Sequence, residues 1–238
     1  MSDRSKPTLH LLPVWLGEAG GVEQLPPENI AVAARVKLFF TENEKTARQM
    51  LRRMVPTVDL QSLEMHRLDK DSDRSDLKVM IERLRHFGEG AIISEAGMPG
   101  IADPGALLVM EAHRQVIDVS PLTGPSSIFL ALAASGLSGQ QFTFHGYLPR
   151  EANDRRVAIR KLESDALRTG AAQLFIETPY RNDAMFADLL KYCGREILLT
   201  LAIDLTQPDS FVMTLPIDQW KKWKPVIGKR PAVFILGR

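Results

Sequence analysis

SEAGMPGIADPG, residues 94–105, follows the apolar run AII and precedes ALLVMEAH. An apolar run, a Gly/Pro-rich loop and then helix-forming residues read as a β-strand feeding an α-helix. The loop packs three glycines and two prolines into twelve residues, beside Glu95 and Asp103. Turns use Gly and Pro, but this stretch is long for a strand-to-helix connection. Open α/β sheets take ligands at the C-terminal ends of their strands, so a binding loop is expected here.

The same strand–loop–helix unit repeats on both sides. PTLHLLPVW (7–15), VKLFF (36–40), LEMHRL (63–68), AIISE (91–95) and VIDVSPL (116–122) read as strands. Between them, ENIAVAAR (28–35), NEKTARQMLRRM (43–54), SDLKVMIERLRHFG (75–88) and PGALLVMEAHR (104–114) read as helices. Leu77, Met80, Ile81 and Leu84 recur at i, i+3, i+4 and i+7, and Gly88 supplies a stop. GPSSIFLALAAS (124–135) is a further helix entered through Gly-Pro. The second half starts again with strands at 142–148, 172–178, 196–205, 211–217 and 230–237, and with helices at 150–167, 181–194 and 218–223. The strands 196–205 and 211–217 are joined by a short turn, which predicts an antiparallel hairpin.

The fold class is therefore α/β, with two small α/β domains. The first is expected to hold a mainly parallel sheet and the second a mixed one, with the ligand between them. The domains are set at 1–122 and 123–238, and the low-apolar stretch 135–141 reads as a linker.

Composition narrows the chemistry. The chain has 238 residues, 45% apolar and 25% charged, with a formal charge of +1. That is an ordinary globular composition, with no global pull toward nucleic acid or membrane. Cys193 is the sole cysteine, which excludes an intramolecular disulfide and a thiolate metal cluster. The five histidines show no HxxxH or HxH spacing, so no metal is expected. No 18-residue apolar span and no secretory leader pattern is seen, which predicts a cytoplasmic protein without a membrane partner.

Three stretches carry polar groups where a ligand would sit. In 94–105 there is neither GxxxxGK[ST] nor GxGxxG, and no lysine to meet a phosphate. Two carboxylates and accessible backbone suit an uncharged or cationic ligand better than a polyphosphate. In PLTGPSSIFLALAASGL (121–137), Ser126, Ser127 and free N–H groups at a helix start make a polar nest, or else Thr123 or Ser126 caps the helix. In FIETPYRND (175–183), Glu177 ends a strand just before Tyr180 and Arg181; the alternative is a plain Glu177–Arg181 surface pair.

SEAGMPGIADPG, PLTGPSSIFLALAASGL, FTFHGYLP and FIETPYR occur in this order, over nearly the whole chain. In that order they resemble the motifs of the tetrapyrrole methylase superfamily, and most of all its small-subunit ribosomal RNA 2′-O-ribose methyltransferase branch. The resemblance implies a two-domain, homodimeric methyltransferase that binds S-adenosylmethionine between its domains. This cofactor has no phosphate and carries a sulfonium cation, in keeping with the lysine-free loop. Matched segment by segment, Gly97, Met98 and Ile101 belong to the first cofactor loop, and Ser126, Ser127 and Ile128 to the second. Thr178, Leu205 and the pair Pro231–Ala232 match later cofactor-lining positions. Glu177, Glu95 and Asp103 are the candidate catalytic carboxylates, and His145 is a weaker candidate at a strand end. The apolar helices 28–36 and 125–135 would suit the dimer contact.

Two segments depart from the ribosomal branch. The usual TPIGN after the first strand is replaced by LPVWLGE (12–18), and the usual EDTR-like segment reads FFTENEKTAR (39–48), which keeps Glu42 or Glu44. Both fall on the presumed substrate side. An RNA acceptor needs cations. Arg155, Arg156, Arg160 and Lys161 cluster on the helix 150–167, and WKKWKPVIGKR (220–230) interleaves two tryptophans with five cations. A solvated helix face and a core tryptophan explain these equally well. Three functions therefore stay open: ribosomal RNA methylation, methylation of a small molecule such as a porphyrinoid precursor, and a non-catalytic binding protein on the same fold.

Overall fold

The structure is a computed structural model that describes residues 6–238. The chain divides into two compact units, one ending at Ser126 and the other running from Ser127 to Arg238.

The first unit is a doubly wound parallel sheet. Its strands are β1 (Thr8–Leu12), β2 (Leu38–Thr41), β3 (Glu64–Arg67), β4 (Glu89–Ile93) and β5 (Asp118–Pro121), in the order β3-β2-β4-β1-β5. Every pairing is parallel. Alternate side chains go to opposite faces. Phe39, Ala91 and Ile93 pack with α1 (Pro27–Arg35) and α2 (Glu44–Met54), whereas Leu38, Phe40 and Ile92 pack with α3 (Arg74–Phe87) and α4 (Gly105–Arg114). Burial on both faces explains why these strands read as unbroken apolar runs. The helices begin and end where their sequence signals lie. Asn43 accepts from the N–H groups of Lys45 and Thr46 at the start of α2. Asp73 and Asp76 form a capping box on α3, which ends at Gly88 with φ +78°.

The second unit carries the mixed sheet. Its strands are β6 (Phe142–Tyr147), β7 (Ala172–Ile176), β8 (Leu198–Ile203), β9 (Phe211–Pro216) and β10 (Ala232–Gly237), in the order β6-β7-β10-β8-β9. β6 runs parallel to β7, and the remaining pairs are antiparallel. α5 (Ser127–Ser135) covers one face through Ile128, Ala131 and Leu132. α6 (Ala152–Thr169), α7 (Asn182–Tyr192) and α8 (Ile217–Lys222) cover the other, around the fully buried Trp220. Trp220 donates its Nε1–H to the Leu199 carbonyl at 2.8 Å, so its one polar atom is satisfied.

Two expectations change. Residues 135–141 lie inside the second unit and are not a connector: a Cβ on Gly237 would meet Leu137 at 2.7 Å. The apolar face of α1 is also not on the outside, because Val32 and Ala33 are buried in the first core. On α5, by contrast, Phe129 and Leu130 remain exposed.

Candidate functional site

In the first unit every strand points the same way, so all the strand-to-helix loops leave from one edge. The connection after β2 leads through α2 to the outer strand β3. The connection after β4 leads through α4, on the opposite face, to the other edge strand β5. β2 and β4 are neighbours. Their C-terminal ends therefore flank the topological switch point, where open α/β sheets leave a crevice. A small cavity of about 10 Å³ sits there, lined by Thr41, Glu42, Asp103 and Gly105 among others.

The loop 94–105 is built into this edge. The Gly97 carbonyl accepts from Val14 N–H at 3.0 Å and from the buried Ser94 hydroxyl at 2.8 Å. Gly97 has φ +68°, and an added Cβ would lie 3.0 Å from the Pro125 carbonyl oxygen and 3.1 Å from Leu16. At Gly124 a Cβ would meet Pro13 at 2.3 Å. Glycine is thus required at both positions by the packing of the 13–16, 94–97 and 124–125 segments against one another. Met98 is half-buried and Ile101 is exposed. Asp103 pins the far end of the loop, its Oδ1 accepting from Gly100 N–H at 2.6 Å and Gly105 N–H at 2.8 Å.

Burial pushes the Asp103 carboxyl above its ordinary value, against the two backbone hydrogen bonds that pull it down. Glu42 is raised as well, first by desolvation and then by the charges of Asp103, Glu95 and Asp69. The edge is therefore a region of like charge, which favours a cation or a proton. Glu42 was not among the residues picked from sequence. The only signal available was its retention in FFTENEKTAR. Glu44, the other acid of that segment, lies in the first turn of α2 and reaches Arg48 at 3.7 Å.

In the second unit the predicted residues gather at one end of the sheet. β7 ends at Ile176, β8 ends at Ile203, and β10 begins at Ala232, which pairs with Ile203. Val233 pairs with Ile176, and the Asp204 N–H donates to the Pro231 carbonyl at 2.9 Å. Thr178, Leu205, Pro231 and Ala232 thus share this end, and Leu205 packs in the same cluster as Ile128 of α5. Ser127 begins that helix. Glu177 follows β7 with its side chain only 1% exposed, and Arg181 pairs with its Oε2 at 2.5 Å. The other oxygen, Oε1, accepts from Thr178 N–H at 2.7 Å. The Glu177–Arg181 pair is real, but it is not a plain surface pair: Glu177 is buried and Arg181 half-buried. His145 lies within β6 and not at its end, and is bonded through Nε2 to Gln173 at 2.8 Å.

Among the described residues no group of His, Cys, Asp and Glu is placed to hold a metal, and no helix is long and apolar enough to cross a membrane. A sequence profile of the Tetrapyrrole (Corrin/Porphyrin) Methylases matches residues 19–219. The chain belongs to the tetrapyrrole methylase family. Among curated relatives of this methylase, Ribosomal RNA small subunit methyltransferase I of Xylella fastidiosa is 32% identical over 200 residues, covering 84% of this chain and 69% of that protein. Its namesake in Vibrio cholerae is 26% identical over 217 residues, covering 91% and 71%. The one in Thermotoga maritima is 28% identical over 210 residues, covering 87% and 90%. Among solved structures, the methyltransferase CobJ superposes with a TM-score of 0.63 at 18% identity, covering 97% of this chain and 93% of that one. Uroporphyrin III C-methyl transferase from Thermus thermophilus does so at 0.58 and 14%, covering 97% of each chain. At these identities the two structures establish the fold of the methylase.

The methyl donor of the family is S-adenosylmethionine, and the chemistry of these residues fits it. The loop 94–105 offers carboxylates and backbone with no lysine or arginine, which suits a sulfonium cation without phosphates. In the second unit, Ile128 and Ala232 are buried and Leu205 packs in the cluster of Ile128.

Proposed function

We propose that this methylase transfers the methyl group of S-adenosylmethionine to a ribose 2′-hydroxyl of small-subunit ribosomal RNA. The observation that carries the reading is the similarity, over most of the chain, to proteins named for methylating small-subunit ribosomal RNA. In this reading Gly97, Met98, Ile101 and Ser126 of the first unit hold the cofactor. Ser127, Ile128, Thr178, Leu205, Pro231 and Ala232 of the second unit complete its site. Bound, S-adenosylmethionine supplies an electrophilic methyl carbon, so positioning accounts for much of the rate.

The acceptor hydroxyl must lose its proton as the oxygen–methyl bond forms. We assign that role to the carboxylates at the switch point, Asp103 with Glu95, and add Glu42. The raised pKa values of Asp103 and Glu42 match these two better to taking a proton near neutrality. Both oxygens of Glu177 are already engaged, and we assign it to positioning the end of β7. A cytoplasmic homodimer, with the exposed Phe129 and Leu130 of α5 at its contact, completes the reading.

The test is methyl transfer from tritiated S-adenosylmethionine to undermethylated small ribosomal subunits, run beside a porphyrinoid acceptor. Label in RNA that survives alkaline hydrolysis as a dinucleotide is expected, since a 2′-O-methyl group blocks cleavage. Label in the porphyrinoid alone would transfer the proposal to small-molecule methylation. Label in neither, with cofactor bound, would end it.

A further inference from the structure

Of the two cation clusters in the sequence, the one at 220–230 borders an open groove. On α6, Arg155 pairs with Asp188 at 2.7 Å, Arg160 with Glu163 at 3.4 Å and Arg168 with Asp165 at 2.7 Å. Arg156 and Lys161 of that helix form no ion pair among the described residues, and within 220–230 Arg230 pairs with Asp204. The 220–230 segment lies along α7 and leaves an open groove of about 590 Å³, the size of a small-ligand pocket. Phe186, Leu190 and Val226 give it apolar walls, and Lys191, Lys221 and Lys224 line it with charge. Among the described residues these three lysines form no ion pair, whereas their neighbour Lys222 reaches Asp218 at 4.0 Å. Asp183 is the one carboxylate lining the groove, and its oxygens are taken by the N–H groups of Ile227 at 2.8 Å and Gly228 at 3.1 Å.

The same segment offers aromatic faces. Trp223 is 45% exposed and stacks on the buried Trp220, with ring centroids 5.5 Å apart and planes 14° apart. Since Trp220 is itself fixed by its bond to Leu199, Trp223 is held in place before anything binds. Tyr180 is 80% exposed, with the Lys229 ammonium 5.0 Å from its ring centre.

We propose that this groove binds a single-stranded segment of the RNA substrate, with Lys191, Lys221 and Lys224 on phosphates, the apolar walls against unstacked bases, and the exposed Trp223 of the same segment, outside the groove lining, as a further stacking face. The assignment rests on the ribosomal RNA reading above. Charge selects an anionic polymer over a second copy of this chain, because two such faces would bring six lysines together. The apolar walls select single strands over duplex, whose bases are hidden in the stack.

The experiment measures fluorescence anisotropy of a labelled oligouridylate with the full-length protein across a salt series. The paired variant Lys221→Gln/Lys224→Gln should bind about tenfold more weakly at 0.1 M salt, and the slope of log K against log salt should shrink by about 1.4 for two lost contacts on a single strand. Arg156→Gln/Lys161→Gln on α6 should leave both quantities unchanged. Calorimetric affinity for S-adenosylmethionine, equal in all three proteins, confirms that the variants are folded. Equal weakening by the α6 variant would overturn the groove in favour of diffuse charge. Unchanged binding by the groove variant, in a protein that still methylates ribosomal RNA, would overturn the groove and leave the proposed function standing. A wild-type protein that binds no RNA at any salt would overturn both.

Discussion

Arg181 holds the carboxylate of Glu177, four residues before it in the chain, at 2.5 Å, and the Glu177 side chain is 1% exposed while that of Arg181 is 27% exposed. The asymmetry sets the energetics. Removing the arginine leaves a buried negative charge without its partner, whereas neutralising the glutamate leaves a cation that can still reach water. Arg181→Met should therefore destabilise the protein by on the order of 3 kcal/mol, and Glu177→Gln by clearly less. Urea unfolding of both variants checks this. If Glu177→Gln instead left stability alone and abolished methyl transfer, Glu177 would be a proton acceptor and not an anchor.

Gly97 gives the second prediction. Alanine there must take φ +68° and press its Cβ to 3.0 Å from the Pro125 carbonyl oxygen. The expected cost is about 1–3 kcal/mol. Because the strain falls where the 94–97 and 124–125 segments meet, cofactor affinity should drop with it. Gly100→Ala is the comparison, with φ +82° but nothing within 4 Å of the added methyl. Calorimetric titration with S-adenosylmethionine should show the larger loss for Gly97→Ala.

Asp103 gives a prediction with a pH window. Its native value is raised above 3.8 by burial. The folded state thus holds the proton more tightly than the unfolded chain. The stability this confers is complete below 3.8 and is lost as pH rises through the native value. Asp103→Asn keeps an oxygen for the Gly100 and Gly105 N–H groups and removes the charge. Its melting temperature should match wild type in acid and exceed it at neutral pH, while methyl transfer falls by about a hundredfold or more. A variant less stable than wild type at neutral pH would mean that the charge itself holds the loop.

Cys193 gives a probe of the second unit. It is buried at 5% exposure, and burial pushes its thiol up to about 12, with the charge of Glu163 adding to the effect. A thiol reagent needs the thiolate and access to it. The native protein should be inert to Ellman's reagent at neutral pH, and the reaction should track unfolding in denaturant. Rapid labelling of the folded protein would show that α7 opens locally.

Much of this architecture was legible because it rests on local signals. Leu77, Met80, Ile81 and Leu84 mark the buried stripe of α3, and Gly88 takes the left-handed conformation that ends it. The hairpin of β8 and β9 follows from two apolar runs and a short turn. The glycines of 94–105 were legible as special, but the packing around Gly97 was not. Spacing suggests a ligand that needs room, whereas Gly97 gives room to Leu16 and the Pro125 carbonyl, residues distant in sequence. Glu42 was passed over because its closeness in charge to Asp103 and Asp69 depends on the strand order β3-β2-β4. The Glu177–Arg181 pair stood in the sequence as the alternative to a site, read as a surface pair, and the burial of Glu177 was not legible. Burial comes from the tertiary packing around the end of β7, which no local pattern encodes.

The position of β10 bears on how the protein comes into being. It follows β6, β7, β8 and β9 in the sequence, yet it lies between β7 and β8 in the sheet. While the nascent chain emerges, β6 with β7 and β8 with β9 can form only as separate ribbons. Each exposes an edge that the other cannot satisfy until residues 232–237 leave the ribosome. The second unit must then zip shut in a single late insertion, and its unfinished halves are the form most in need of a chaperone.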